Sequence, residues 1–319
     1  MGFPEAGHVG RRVSVRHHVG GGLTDVVGHL LDVTDDTVSV LRRDGTVVAF
    51  DPSTVTAGKP VPAEPVRPGW AVPQISAADL QRVCSAGWPA RTTARLGDWV
   101  LREHGGVTGR ANSAMAVGDP GLPLAEAVVA VEEWYAEHGL PPLMQLPLAD
   151  PRNLELADLG WARRHGTVVQ TAPVAPLLAS LPQRADLAAT VEATPSPRWR
   201  TLMHDLDAND PAAHLAILTG PAVVGFVTVL RDGEPVGIGR VSIEGEWAGI
   251  TSVDVAPTER RAGIGTAVMA ALVRWAAEQG AVATYLQVRV GNAAALKLYA
   301  RLGYRTHHPY TYRSPASPP

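Results

Sequence analysis

The sequence holds a single cysteine, Cys84, in 319 residues. No disulfide can therefore form within the chain, and a disulfide scaffold is excluded. A lone thiol fits a reducing compartment and a structural rather than a catalytic part. Long apolar runs are also missing: none approaches the ~18 residues that a membrane helix needs. The first ten residues, MGFPEAGHVG, lack the charged-then-apolar build of a secretion signal. Ala6 stands where a myristoylation pattern needs Ser or Thr. Lysine occurs only at Lys59 and Lys297; with plentiful Ala, Gly and Pro this reads as the base composition of a GC-rich genome. The net charge is only −3, so no bulk attraction to nucleic acid or to an anionic membrane is expected. A cytoplasmic protein with neither among its partners is the resulting expectation, and no spacing of His, Cys, Asp and Glu marks a metal site.

What is present is ordinary for a globular chain: 45% hydrophobic and 18% charged residues, with length enough for about two domains. Residues 1–60 read as small β structure. Arg12-Val13-Ser14-Val15-Arg16 alternates with period two, further short strands follow, and Asp44-Gly45 is a hairpin signal. Four or five strands in ~60 residues suggest a small SH3-like barrel. Residues 61–72, with Pro60, Pro62 and Pro65 at their start, read as a stiff linker. The rest alternates strands and helices as a mixed α/β sheet protein does, with one unit over 73–183, another over 184–313, and a frayed tail over 314–319.

Helices are expected over 124–138, 153–159, 266–279 and 292–302, and strands over 144–146, 223–230, 236–243, 247–255, 283–288 and from Tyr304 onward. Pro173, Pro176 and Pro182 are expected to loosen the chain between the two units. An internal repeat joins them. Trp134-Tyr-Ala-Glu-His-Gly139 matches Trp275-Ala-Ala-Glu-Gln-Gly280 at an offset of 141 residues, Gln145 aligns with Gln287 at 142, and Gly160-Trp161 with Gly303-Tyr304 at 143. Two copies of one helix-strand-helix-strand unit are implied.

The chemistry is concentrated in Val253-Asp-Val-Ala-Pro-Thr-Glu-Arg260-Arg261-Ala262-Gly263-Ile264-Gly265-Thr266. A strand ends, two arginines and two glycines follow, and a helix begins. Amides at a helix start are unpaired and the macrodipole favours an anion there. Glycines let a phosphate approach the amides, and Arg260 and Arg261 add charge that pairs with phosphate oxygens. The pattern is neither a Walker A loop nor a dinucleotide fingerprint. Arg260-x-x-Gly263-x-Gly265 resembles the acyl-CoA motif of the GNAT N-acetyltransferase superfamily, and Asn292-x-x-Ala295-x-x-Leu298-Tyr299-x-x-x-Gly303-Tyr304 resembles its second motif. The whole order, a small barrel and two GNAT-like halves, is similar to actinobacterial histone acetyltransferase-like GNAT proteins, a likeness supported by Gly109-Arg-Ala-Asn-Ser113.

The resemblance implies a GNAT acyl-CoA N-acyltransferase fold in tandem halves. It implies acetyl-CoA as cosubstrate and direct acetyl transfer to an amine acceptor, small molecule or protein. The pantetheine arm would pair with backbone near Val253 and Val255, and the pyrophosphate would sit on the amides of Arg261, Ala262, Gly263, Ile264, Gly265 and Thr266, beside Arg260. Asn292 would bond the pantetheine, and Tyr299 would be the general acid, protonated at pH 7 as an ordinary tyrosine is. Each has a plainer reading too: Asn292 as a helix N-cap, Tyr299 as core beside Leu296 and Leu298. No residue stands out as the base; Asp254, Glu244, Glu246, His307 and His308 are the groups within reach of the argument. The first copy has Leu122 and Leu124 where the second has Gly263 and Gly265, and Asp119 adds negative charge, so it reads as degenerate, without a CoA site. Two further readings stay open: a mycothiol-pathway-type small-molecule acetyltransferase, and a non-catalytic CoA-binding regulatory module. The oligomeric state is not encoded in any motif.

Overall fold

Valines alternating with polar residues build the first sheet of the computed structural model, which describes residues 3–203 and 210–316. Strands β1 (Arg12–Val19), β2 (Gly22–Val33), β3 (Val38–Arg42), β4 (Val47–Phe50) and β5 (Val55–Pro60) pair antiparallel in the order β4-β3-β2-β1-β5. Val13, Val15, Leu30, Val38 and Val40 form its closed interior. Leu31 and Leu41 instead join the core of the rest of the protein, where Arg163 donates to Asp32 and to the Leu31 carbonyl. The small sheet is thus packed on the body rather than tethered to it.

The body is one eleven-stranded sheet. Its first part contains α1 (Ala77–Ala86), β6 (Thr92–Leu96), β7 (Trp99–Glu103), β8 (Ala114–Met115), α2 (Leu124–Glu137), β9 (Met144–Pro147), α3 (Arg152–Asp158) and β10 (Trp161–Pro173). Then come α4 (Val174–Ser180), β11 (Ala188–Glu192), α5 (Pro197–Thr201), α6 (Pro211–Thr219), β12 (Val224–Arg231), β13 (Glu234–Glu244), β14 (Trp247–Val255), α7 (Ile264–Glu278), β15 (Ala283–Arg289), α8 (Ala293–Arg301) and β16 (Arg305–Pro315). The strand order is β11-β12-β13-β14-β15-β10-β16-β9-β8-β7-β6. Each half contributes a parallel pair spanned by a helix, β8 with β9 and β14 with β15.

The last strands are exchanged between halves. β10 pairs with β15 of the second half, and β16 pairs with β9 of the first. The repeat read from the sequence locates the local two-fold axis. Thr167 faces Tyr310 across β10 and β16, and these two are 143 residues apart, the offset of Trp161 and Tyr304. A residue opposite its own repeat mate lies on the axis. The neighbouring ladders obey the same symmetry: Val169 faces Gln287, and Tyr312 faces Gln145. Neither half can complete its sheet alone.

Helix α7 lies on β13 because β13 presents glycine there. A Cβ on Gly237 would come within 2.7 Å of Ile264, and one on Gly239 within 2.6 Å of Leu272. Either contact would push the helix off the sheet.

Some expectations are corrected. Pro173 closes β10 opposite Ala283, and Pro176 lies in the first turn of α4, where a helix needs no N–H; the prolines mark an edge, not a loosened segment. Ser314 and Pro315 are not frayed but pair with Ala162 and Trp161. Residues 317–319 of the expected tail lie outside the described residues.

A buried polar chain fastens α1 to β7, β9 and β16. Arg102 donates to Gln145 (2.8 Å), Gln145 to Gln81 (2.6 Å), and Gln81 lies 2.8 Å from His308 Nε2. His308 Nδ1 meets His307 Nδ1 at 2.7 Å, and His307 Nε2 meets the Ile75 carbonyl at 3.1 Å. With every donor pointing the same way, His308 accepts at Nε2 and donates at Nδ1, which requires the neutral ring. Burial pushes its pKa down to about 3, with His307 and His29 adding to the effect. Unfolded, the ring protonates near pH 6.5. Between these values the unfolded chain binds more protons, so stability is present above pH 6.5 and falls as the pH drops towards 3. Denaturant titrations from pH 7 to pH 4 should show this loss, and His308→Gln should make the profile shallower, leaving the share of His29, whose pKa burial lowers to about 4; an equally steep profile in the variant would place the dependence elsewhere.

Candidate active site

The site begins where a ladder stops. β14 and β15 pair from Trp247 with Ala283 to Ile250 with Leu286, and no further. β14 continues to Val255 held by β13, while β15 continues to Arg289 held by β10. Each follows its own neighbour, and a wedge opens between them. The divergence coincides with a bulge: the β13–β14 register shifts between Ile238 and Arg240, and Ser252 takes φ +51°, an uncommon conformation for serine that costs about 1–3 kcal/mol. Arg240, fully buried, donates to Thr251 Oγ1 (3.1 Å) and to the carbonyls of Leu218 (2.7 Å) and Gly87 (3.1 Å). Burial lowers its pKa to about 9, so the guanidinium stays charged at pH 7 without a carboxylate beside it.

Beyond Val255 the chain makes one 3-10 turn, Pro257–Glu259, and then reaches α7. Arg261 has φ +65° and Gly263, the N-cap, φ +79°. The Gly263 carbonyl accepts from Thr266 and Ala267, which starts the helix. Among the described residues no backbone carbonyl accepts from the amides of Ala262, Gly263, Ile264 or Gly265. The loop is fixed from outside. Arg184 donates to the Ala262 carbonyl (3.0 Å) and is itself clasped by Asp186, while Glu259 is bound by Arg231. Those two arginines are thereby neutralised. Arg260 and Arg261 are exposed and make no hydrogen bond or ion pair among the described residues. A row of unused amides under two free guanidinium groups is what a pyrophosphate requires.

The wedge leads into a cleft of about 670 Å³. Val253 and Asp254 line one wall, Asn292 and Tyr299 the other. Val255 is half-buried and packs on the core instead. Asn292 caps α8 by accepting from the Ala295 amide (3.1 Å) through Oδ1, which leaves its Nδ2 for another partner. Tyr299 is buried and stands edge-on to Tyr304. Burial alone pushes its pKa up to about 12, and its hydroxyl has no hydrogen-bond partner among the described residues. The cap and core readings of the two residues therefore hold without consuming the groups that chemistry would use.

The basic groups weighed from sequence are sorted by the fold. Asp254 lines the cleft and accepts from the Val255 amide. Glu244 and Glu246 flank the turn at the opposite end of β14. His307 and His308 are committed to the chain described above. Sequence reasoning missed the far wall, which the first half supplies: Trp88, Arg110 and, from β10, His165. Tyr310 and Tyr312 of the exchanged strand β16 lie between. Gly109-Arg-Ala-Asn-Ser113 was the one signal for this wall.

At the corresponding helix start of the first half, Pro123 stands as the N-cap of α2 and has no amide to give. Asp98 accepts from the Asp119 amide (2.9 Å), and Asp119 accepts from the Gly121 amide (2.8 Å). Both carboxylates brace the turn ahead of α2, and no side chain caps the helix itself.

Comparison with known proteins agrees with this geometry. A family model described as "Probable histone acetyltransferase Rv0428c C-terminal" matches residues 76–313, and one described as "Rv0428c N-terminal Sm-like domain" matches residues 7–59. Sm-like, rather than SH3-like, is thus the description the first sheet takes. The chain is 30% identical over 318 residues to the probable histone acetyltransferase Rv0428c of Mycobacterium tuberculosis, covering 95% of this chain and 94% of that one. It is 28% identical over 240 residues to the uncharacterized N-acetyltransferase YobR of Bacillus subtilis, covering 73% and 96%. Among solved structures, a GCN5-related N-acetyltransferase from Kribbella flavida matches with TM-score 0.60 at 20% identity, covering 76% and 96%. A tandem GNAT protein from the clavulanic acid biosynthesis pathway matches with TM-score 0.52 at 14% identity, covering 76% and 89%. These two show the fold.

Gly263→Asp tests the loop. It places a carboxylate among the amides, at a left-handed position. Acetyl-CoA binding measured by calorimetry should be lost, with only a modest fall in melting temperature from the strained backbone. Unchanged affinity would remove the loop from the site.

Proposed function

We propose direct acetyl transfer from acetyl-CoA to an amine for this chain, which belongs to the family of the probable histone acetyltransferase Rv0428c and is a GNAT acyl-CoA N-acyltransferase. The carrying observation is the continuity of three features: unused amides at the start of α7, the free edge of β14 in the wedge, and a cleft floored by Tyr299. The amides of Ala262 to Gly265, with Arg260 and Arg261, hold the pyrophosphate. The edge of β14 offers the backbone of Val253 and the carbonyl of Val255 to the pantetheine amides, the Val255 amide being held by Asp254, and Nδ2 of Asn292 adds a donor. The thioester supplies an activated acyl group.

The amine nitrogen forms the new bond to the acyl carbon, and the carbon–sulfur bond breaks. Tyr299 holds a proton at Oη for the departing sulfur. A raised pKa keeps that proton in place at neutral pH, and burial keeps water from competing. The amine must give up a proton in exchange. Asp254 and His165 are groups of the cleft wall able to take it, His165 being kept neutral by partial burial and by Arg289. The first half, residues 73–183, contributes an acceptor wall and no second CoA site. The small sheet of residues 1–60 is a packed accessory to this body.

Tyr299→Phe keeps the ring against Tyr304 and removes only the hydroxyl. A group acting in the transition state lowers turnover and leaves ground-state affinity intact. Thiol release should fall by about 10²–10⁴-fold, with acetyl-CoA affinity and melting temperature near the parent values. Parent-like turnover, with chemistry rate-limiting, would return Tyr299 to the core.

A further inference from the structure

Among the described residues nothing neutralises one cation of the acceptor wall. Arg110 lines the cleft, half-buried, with its guanidinium 4.1 Å above the Trp88 ring. It makes no hydrogen bond and no ion pair among the described residues. On the same indole lies a second guanidinium, Arg240, at 5.5 Å from the ring centroid, and its own partners are all neutral. Two like charges share one aromatic ring, and no carboxylate of the described residues bonds to either. Among the described lining residues Arg289 adds a further positive charge, and Asp254 is the one carboxylate.

Arg110 is also held in place. It sits on the 3-10 turn Gly109–Ala111, in a loop organised by one side chain. Asn112 Oδ1 accepts from the amides of His104 (2.7 Å) and Gly106 (3.0 Å), and its Nδ2 donates to the carbonyls of Val107 (2.6 Å) and Thr108 (2.9 Å). Trp88 Nε1 donates to Thr108 Oγ1 at 3.0 Å, which locks the indole to the same loop. An unpaired guanidinium on a rigid mount, with its planar fork unused, matches a carboxylate or a phosphate. It pays little ordering entropy on binding.

We infer that the acceptor amine carries an anionic group, a carboxylate or a phosphate, which Arg110 binds beside Trp88. This inference rests on the transfer reaction proposed above. It runs against a lysine-rich peptide as acceptor, because such a chain would bring more positive charge to a wall that already has an excess.

The test is thiol release at saturating acetyl-CoA with matched amine pairs: L-amino acids against their carboxamides, and phosphoethanolamine against ethanolamine. A lysine-rich peptide is the third arm. The anionic member of at least one pair should be preferred about tenfold or more, and which pair responds separates carboxylate from phosphate. Arg110→Gln and Arg110→Lys should raise KM for that substrate about 10–100-fold, the equivalent of a lost charge-assisted bond. kcat should stay near the parent value, and the preference over the neutral mate should shrink. Acetyl-CoA binding, followed by calorimetry, should be unchanged in both variants. Equal use of neutral and anionic amines, no turnover of any anionic amine, preference for the lysine-rich peptide, or a preference that survives both substitutions would overturn the inference. Failure of the parent protein to bind acetyl-CoA would instead remove the reaction it rests on.

Discussion

The parting of β14 from β15 after Ile250 and Leu286 is the constraint on which the rest depends. Two parallel strands that stayed paired would satisfy their own backbone groups and leave no cleft. They part because each is held more firmly on its other side, β14 by β13 and β15 by the exchanged strand β10. The bulge at Ser252 and the buried Arg240 fix the point of divergence. Everything chemical lies downstream of it: the free strand edge, the loop of open amides, and the cleft with Tyr299.

The exchange of terminal strands explains why two halves give one site. β10 comes from the first half yet supports the second half's wedge, and β16 returns the favour beside β9. The halves are therefore one folding unit, and they are free to diverge in chemistry. The second keeps glycines and arginines before α7. The first has Leu122, Pro123 and Leu124 there instead, with Asp98 and Asp119 bracing the turn before α2. That half supplies Trp88 and Arg110 to the cleft beside the second.

Much of this was legible in the sequence, for a physical reason. The strand over 247–255 and the loop to Thr266 are local, and their glycines and arginines form one contiguous pattern. The repeat was legible as well, and its offset of 143 even locates the axis at Thr167 and Tyr310. What could not be read was non-local. No pattern within β14 says that its ladder to β15 ends at Ile250, because the ending is set by β10, some eighty residues away. The same holds for Arg110, which meets the cleft only through the strand exchange. Pro173 and Pro176 misled because proline is disfavoured inside elements and tolerated at their edges, and edges are what the sequence locates least well.

Hydrogen exchange with and without acetyl-CoA tests the central claim most directly, that one helix start and one free strand edge form the only acyl-CoA site. The account predicts slowed exchange at the amides of Ala262, Gly263, Ile264 and Gly265 and along β14 near Val253 and Val255. It predicts no change at the Asp119–Gly121 turn of the first half. Protection at that turn, or none at the start of α7, would contradict it.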